Sequence, residues 1–345
     1  MKILVTALEP SSNLHLKEVL KYTNDIELVG IFDKSLGNPK YDISNMAIMG
    51  VVDAIKKIRW FFKVVDEMVE LSKDVDKVLL MDSSAFNLPL AKKIKSKYPH
   101  IEIIYYILPQ IWASRKGRVK KLEKYCDKLL GILPFEVDYY SDKAQYVGHP
   151  LLDEIDVKRD NGTKNVVAFL AGSRGSEIKS LMPIFLQVRR KLGNDIRPLL
   201  VIPKSFSRDK IAKLYIGNRE FEIVRDTHQA LKRAEFAFIC SGTATLEASL
   251  IGTPFVLVYI AKKFDYFIGK KILGISTLGL SNILLKHYNS TSLHTELIQD
   301  EVTVDNLIEQ YNNIDSKLFK QKAKELRDYL SNGSSQNVAM ILNQK

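Results

Sequence analysis

Short apolar runs rich in β-branched residues recur along this chain, with longer amphipathic stretches between them. The candidate strands are Ile3–Ala7, Glu27–Ile31, Lys77–Met81, Glu102–Ile107 and Lys128–Ile132. Leu14–Leu20, Val52–Val69 and Leu88–Lys97 between them read as helices. Strands that are apolar throughout, rather than at every second position, are buried on both faces. Alternation with helices makes their sheet parallel. A second series follows in Val166–Leu170, Pro198–Ile202, Glu222–Val224, Phe236–Cys240 and Phe255–Val258. The polar stretch Asp153–Lys164 separates the two series and reads as a linker. The pattern predicts two doubly wound α/β domains facing each other, residues 1–155 and 156–320. The 345-residue length agrees, at about 100–200 residues per domain. A long helical pattern, Asp315 to Gln344, ends the chain and breaks at Asn332-Gly333.

Composition narrows the function. Two cysteines, Cys126 and Cys240, exclude a disulfide scaffold and a zinc site built on CxxC pairs. The six histidines (15, 100, 149, 228, 287, 294) show no metal-ligand spacing, so no metal and no cofactor are expected. His149, in Gly148-His149-Pro150, reads as a hinge rather than a base. No run approaches the ~18 apolar residues of a spanning helix, and Glu9 interrupts the apolar N-terminal run, which reads as a buried strand. A cytoplasmic location is expected. The formal charge of +11 favours an anionic partner: nucleic acid, a phosphorylated metabolite or an anionic lipid surface. Charge kept for solubility alone is the plainer reading. No helix-turn-helix, RNP or Cys/His module accompanies it, so no nucleic-acid partner is expected.

Open α/β sheets bind ligands at the carboxyl ends of their strands. Val166–Leu170 ends in Ala171-Gly172-Ser173-Arg174-Gly175-Ser176-Glu177 and then turns helical. Small residues there admit a ligand to the backbone, free helix N–H groups attract an anion, and Arg174 adds a charged donor. A plain glycine turn with a surface arginine is the alternative. Phe236–Cys240 ends in Ser241-Gly242-Thr243-Ala244-Thr245-Leu246-Glu247. Ser241 and Thr243 suit either helix capping or phosphate oxygens, and Glu247 suits ribose hydroxyls or compensation of the helix dipole. Two anion-ready turns in one domain point to a diphosphate, hence a nucleotide. GxGxxG, GK[ST] and GxSxG are all missing. In the first half Lys77–Met81 ends in Asp82, a candidate general base or, alternatively, a cap for the helix after it. Glu9 and Ser11 follow the first strand. Trp112, with Arg115, Lys116 and Arg118, suits a sugar phosphate or is a basic loop touching nothing.

From Met46 to Val65, Ile48, Val51, Ile55, Ile58, Phe62 and Val65 recur on one helical face, which reads as core-facing. Trp60 and Phe61 fall off that stripe among Lys56, Lys57, Arg59 and Lys63. Such a stretch suits a membrane interface, with a partner protein as the rival. Phe264–Leu273 has similar character.

These motifs, in this order, resemble the lipid-A-disaccharide synthase family, inverting glycosyltransferases with two Rossmann-like domains facing a cleft (the GT-B type). The likeness covers almost the whole chain. It runs through Ala47–Val52, Met81-Asp82 to Phe86-Asn87, Pro109–Ala113 to Arg118-Val119, Leu133–Glu136 and Gly148–Pro150. It continues with Gly172–Glu177, Ser241–Ala244 with Leu246-Glu247, and Leu280–Leu284 around Asn282. It departs where Leu8-Glu9-Pro10-Ser11-Ser12-Asn13 replaces Gly-Glu-Thr-Ser-Gly-Asp, where Ala85 replaces Asp, and where Ala171 and Ser281 replace Pro. The acceptor side carries most of these changes.

The resemblance implies transfer from UDP-2,3-diacylglucosamine to 2,3-diacylglucosamine 1-phosphate, giving a β-1,6 disaccharide and UDP. It implies Asp82 as general base, and UDP held by Gly172, Ser173, Arg174, Ser241, Gly242, Thr243, Glu247 and Asn282. Glu9, Ser11, Asn87, Trp112, Arg115 and Arg118 fall to the acceptor side. Val51, Val52, Ile55, Trp60, Phe61 and Phe62 would face an anionic membrane surface, with the protein peripheral on the inner face of the inner membrane. A homodimer, and residues 321–345 packing back on the first domain, follow by the same resemblance. Other GT-B enzymes acting on UDP-N-acetylglucosamine, a peptidoglycan-type transferase or a 2-epimerase, share the fold, and fold alone does not separate them.

Overall fold

The computed structural model describes residues 1–43, 54–112, 117–155, 163–260 and 277–344, and for 54–58 the backbone only. Ala47–Val52, Arg115, the side chain of Ile55 and Phe264–Leu273 therefore lie outside the described residues. The chain forms two compact units, Met1–Glu154 with Leu330–Lys345, and Ile155–Tyr329.

The first unit is built on β1 (Lys2–Ala7), β2 (Glu27–Phe32), β3 (Tyr41–Asp42), β4 (Lys77–Met81), β5 (Glu102–Tyr106), β6 (Lys128–Gly131) and β7 (Ala144–Tyr146). All pair in parallel, in the order β3-β2-β1-β4-β5-β6-β7. Successive side chains of a strand point to opposite faces, and both faces of this sheet are covered. Leu4, Val78, Leu80, Ile103, Tyr105 and Leu129 pack on one side with Val64, Val65, Met68, Leu90 and Ile94 from the crossover helices. Ile3, Val5, Ala7, Leu79, Met81, Ile104 and Tyr106 pack on the other. That double burial is why these strands read as unbroken apolar runs.

The second face is closed by the last helix, Ser334–Asn343, through Val338, Ala339, Ile341 and Leu342 against Leu16 and Val19. The helix before it, Ser316–Leu330, lies in the second unit up to Tyr329, so the break between them matters. Gly333 turns there at φ +87°, in the left-handed region where a side chain is costly. Asp153, expected to open the linker, instead caps this last helix: its carboxylate accepts the N–H groups of Gly333 and Ser335, each at 2.7 Å.

The second unit carries β8 (Val166–Leu170), β9 (Arg197–Val201), β10 (Glu222–Val224), β11 (Phe236–Cys240), β12 (Phe255–Tyr259) and β13 (Glu296–Ile298) in the order β10-β9-β8-β11-β12-β13, again all parallel. Phe169, Phe185, Phe221, Phe236 and Phe238 stack edge-on or tilted through its core.

The helix Ala54–Leu71 corrects one expectation. Trp60 and Phe61 are half-buried and pack on the core, Trp60 edge-on to Tyr41 at 6.2 Å and Phe61 edge-on to Phe86 at 5.4 Å. Phe62 is the exposed one, at 50%. The buried stripe runs through Phe61, Val64, Val65, Met68 and Val69, about one residue from the expected phase. Tyr41 and Phe86, distant in sequence, fix that phase by offering aromatic edges to the two rings.

Candidate functional site

In each sheet the chain changes direction once. The crevice at such a switch point, outside the carboxyl ends of the two strands, is where doubly wound sheets take ligands. In the first unit it lies between β1 and β4, and in the second between β8 and β11. The residues singled out by sequence follow these four strands: Glu9 after β1, Asp82 after β4, Gly172–Arg174 after β8 and Ser241–Thr243 after β11.

At the first switch point Ala7 and Met81 lie level in the sheet, so Glu9 and Asp82 leave adjacent strands side by side. Asp82 is half-buried, with a left-handed backbone at φ +49°, and Ser83 follows at φ +31°. A residue with a Cβ pays about 1–2 kcal/mol for that conformation, so the surroundings must hold it. They do: Asp82 N–H donates to the Tyr106 carbonyl at 3.0 Å, and its own carbonyl accepts from Asn87 Nδ2 at 2.9 Å and from the Tyr105 hydroxyl. Burial raises the Asp82 carboxyl above its ordinary value, against the lowering effects of the Ser83 N–H and His15. The Glu9 carboxyl is raised too, by desolvation first and by the charge of Asp82 second. His15 is buried and paired with Glu154. Ser11 is exposed in the first turn of the helix Pro10–Leu20.

Asn87 is not free to meet an acceptor. It is fully buried, with both amide hydrogens on the Met81 and Asp82 carbonyls (3.0 and 2.9 Å) and its oxygen accepting from Thr6 Oγ1 at 2.7 Å. Trp112 is half-buried, edge-on to Phe135 at 5.5 Å, and its buried Nε1 has no hydrogen-bond partner among the described residues. Arg118 opens the helix Arg118–Tyr125, half-buried. His149 is buried, and its Nδ1 accepts the Leu151 N–H at 3.3 Å. Burial, with His15 nearby, takes its pKa down to about 3, so the ring stays neutral.

Sequence reasoning left Glu136 without a role. It lies just after β6, 1% exposed, and accepts the N–H groups of Ile132 at 2.6 Å and Leu133 at 2.9 Å. Burial outweighs both bonds and pushes its carboxyl up to about 7. A glutamate five residues beyond a strand end, behind Pro134, is the local signal of this turn.

At the second switch point Gly172 sits at φ +88°. A Cβ there would lie 2.7 Å from Glu177 Oε2 and 3.1 Å from Cys240 Sγ, so only glycine fits. Ser173 and Arg174 are exposed. Arg174 is tied to the buried Glu177, through Nη1 at 2.9 Å and through its backbone N–H at 3.4 Å. Gly242 takes φ +157°, ψ −169°, a region essentially restricted to glycine. It leaves Thr243 exposed at the start of the helix Thr243–Ile251, beside a half-buried Ser241. Glu247, one turn further, lies 3.3 Å from His228 Nε2.

Asn282 departs from the expected role of a donor contact. It is 3% exposed and its amide is spent internally. It donates to the His294 carbonyl (3.0 Å) and Glu296 Oε1 (2.8 Å), and accepts from the N–H groups of Leu293 (2.8 Å) and His294 (3.2 Å). Among the described residues no three His, Cys, Asp or Glu side chains converge as a metal site.

The family model for lipid-A-disaccharide synthetase matches residues 3–342. A lipid-A-disaccharide synthase of Helicobacter acinonychis is 47% identical over 98% of this chain and 96% of its own. One of Campylobacter jejuni is 45% identical over 99% of both. Among solved structures, MurG of Acinetobacter baumannii aligns over 100% of this chain and 99% of its own, with a TM-score of 0.61 at 12% identity. That likeness concerns the fold alone and identifies two Rossmann-like domains of the GT-B class. Matched from near its first residue to near its last, the chain belongs to the lipid-A-disaccharide synthetase family.

Proposed function

We infer that the protein joins UDP-2,3-diacylglucosamine to 2,3-diacylglucosamine 1-phosphate, forming a β-1,6 disaccharide and releasing UDP. Family membership over the whole chain supports the glycosyl transfer and the substrates. The observation that carries the mechanism is Asp82, a desolvated carboxylate held in a left-handed turn at the switch point of the first sheet.

Inversion needs one base and one supported leaving group. Asp82 takes the proton of the acceptor's 6-hydroxyl as that oxygen attacks the anomeric carbon. The bond from that carbon to the diphosphate breaks, and its electron pair leaves with UDP. A raised carboxyl pKa makes Asp82 a stronger base than a solvated aspartate. Charge builds on the departing diphosphate. The turns Gly172–Arg174 and Ser241–Thr243 offer it backbone N–H groups, hydroxyls and a guanidinium. Glu177 holds Arg174 in place for this role. Glu247 takes the ribose hydroxyls.

Both substrates carry acyl chains, which supports work at an anionic membrane surface. Phe62 is exposed, with Lys93 Nζ 5.8 Å from its ring centre and Arg59 and Lys63 exposed nearby, a ring among cations suited to headgroups. No helix among the described residues is long and apolar enough to cross a membrane.

The test is UDP release in mixed micelles, with and without acceptor, for the wild type and Asp82→Asn. Acceptor-dependent release that falls to a small residual rate in the variant, with UDP affinity kept, is the expected result. Because the Asp82 carboxyl is raised, the acid limb of the rate should lie above the ordinary aspartate range. A variant that turns over at the wild-type rate removes Asp82 from the chemistry.

A further inference from the structure

Three buried side chains from three elements converge on the main chain of Asp82. Thr6 on β1 donates its hydroxyl to Asn87 Oδ1 at 2.7 Å. Asn87, on the helix Ser84–Lys97, donates to the carbonyls of Met81 and Asp82 at 3.0 and 2.9 Å. Tyr105 on β5 donates its hydroxyl to the same Asp82 carbonyl. Thr6, Asn87 and Tyr105 are each completely buried. The strands they come from flank β4 on both sides, and the tip they grip is a non-glycine residue in the left-handed region.

We propose that Thr6, Asn87 and Tyr105 form a clamp that fixes the direction of the Asp82 carboxylate, making Thr6 and Tyr105 positioning residues for the transfer reaction. The clamp never touches the carboxylate. It acts on the carbonyl of the same residue, and a turn of that peptide swings the side chain away from the acceptor's hydroxyl. Asn87 cannot hold the geometry alone, because its orientation depends on the Thr6 hydroxyl. Tyr105 supplies the second donor, so the carbonyl is held from both neighbouring elements. Burial lifts the Tyr105 phenol well above its ordinary value, so it remains a donor at every pH at which the enzyme works.

The inference rests on Asp82 acting as base, and the experiment keeps the two ideas apart. Tyr105→Phe and Thr6→Val are made singly, together, and in the Asp82→Asn background. Each removes one hydroxyl and little volume. We expect kcat to fall about 10–100-fold, the range for small misplacements of a catalytic group, with the KM for the UDP-sugar unchanged. The acid limb of the pH–rate profile should shift as the carboxyl moves into a different environment. In the Asp82→Asn background neither change should lower the residual rate further, since a clamp has nothing left to aim. Single variants that keep the wild-type kcat and pH profile, beside an inactive Asp82→Asn, overturn the clamp and leave the base in place. An active Asp82→Asn overturns the base itself. Further loss in the Asp82→Asn background overturns the clamp in favour of a general structural role, which a matching fall in melting temperature would accompany.

Discussion

Replacing Asn282 by Asp separates a structural role from a ligand-binding one. The amide makes four buried hydrogen bonds, two donated and two accepted. A carboxyl of the same shape keeps both accepted bonds but has one proton at most to donate. Either the His294 carbonyl then loses its donor or Glu296 Oε1 keeps the Gly279 N–H alone, at a cost of about 1–3 kcal/mol. A second cost grows with pH. The new carboxyl would stand where Nδ2 now lies, 2.8 Å from Glu296 Oε1, and two carboxylates that close do not both ionise. The folded pair therefore retains a proton that the unfolded chain releases above a pH of about 4. With the folded pKa raised, stability is complete below the unfolded value and declines above it, by about 1.4 kcal/mol per pH unit, until the folded pair loses its proton. From about pH 5 to about pH 7 the variant should lose about 3 kcal/mol relative to the wild type, beyond its fixed penalty. Asn282→Ala carries a comparable fixed penalty and no such slope. Urea unfolding of the three proteins across that range measures both terms. A constant gap between Asn282→Asp and the wild type would refute the pairing. An alanine variant with wild-type stability and weakened UDP binding would refute the structural role altogether.

Gly172→Ala should cost about 1–2 kcal/mol for its left-handed backbone alone. It should also weaken UDP binding, because its Cβ displaces the Glu177 carboxylate that holds Arg174; unchanged affinity by calorimetry would detach this turn from the diphosphate. Glu136 has a folded pKa of about 7, raised by burial from an ordinary 4.5. Its stabilising contribution is therefore full below about pH 4.5 and is lost as pH rises through 7, by about 3 kcal/mol relative to Glu136→Gln. Chemical denaturation of both proteins at several pH values reads this directly, and parallel curves would contradict it. Phe61→Ser should destabilise by about 3 kcal/mol through lost packing on Phe86, whereas Phe62→Ser should stay within about 0.5 kcal/mol and weaken sedimentation with anionic vesicles. Equal effects on melting temperature would mean the two rings are buried alike.

Some of this molecule was legible because its cause is local. Unbroken apolar runs such as Lys77–Met81 and Phe236–Cys240 announce strands covered on both faces, and the residues after them stand at the two switch points. The glycines at 172 and 242 stand at backbone angles that glycine adopts most readily. β3, β7 and β13 were missed because two- or three-residue edge strands carry no periodicity of their own and exist by pairing with a finished neighbour.

The rest depended on partners far apart in the chain. The resemblance placed Asn87 on the acceptor side and Asn282 at the donor. Only the approach of Thr6 to one, and of His294 and Glu296 to the other, committed their amides to the interior. Trp60 and Phe61 turned inward because Tyr41 and Phe86 stand there to receive them. Asp153 became a cap because the final helix begins 180 residues later at its carboxylate. Composition and order thus determined the fold class, the strand tips and the family likeness, all of which rest on local pattern. Which polar groups remain available for chemistry was decided by tertiary structure, because a hydrogen-bonding group is free only when nothing brought near by the fold has already used it.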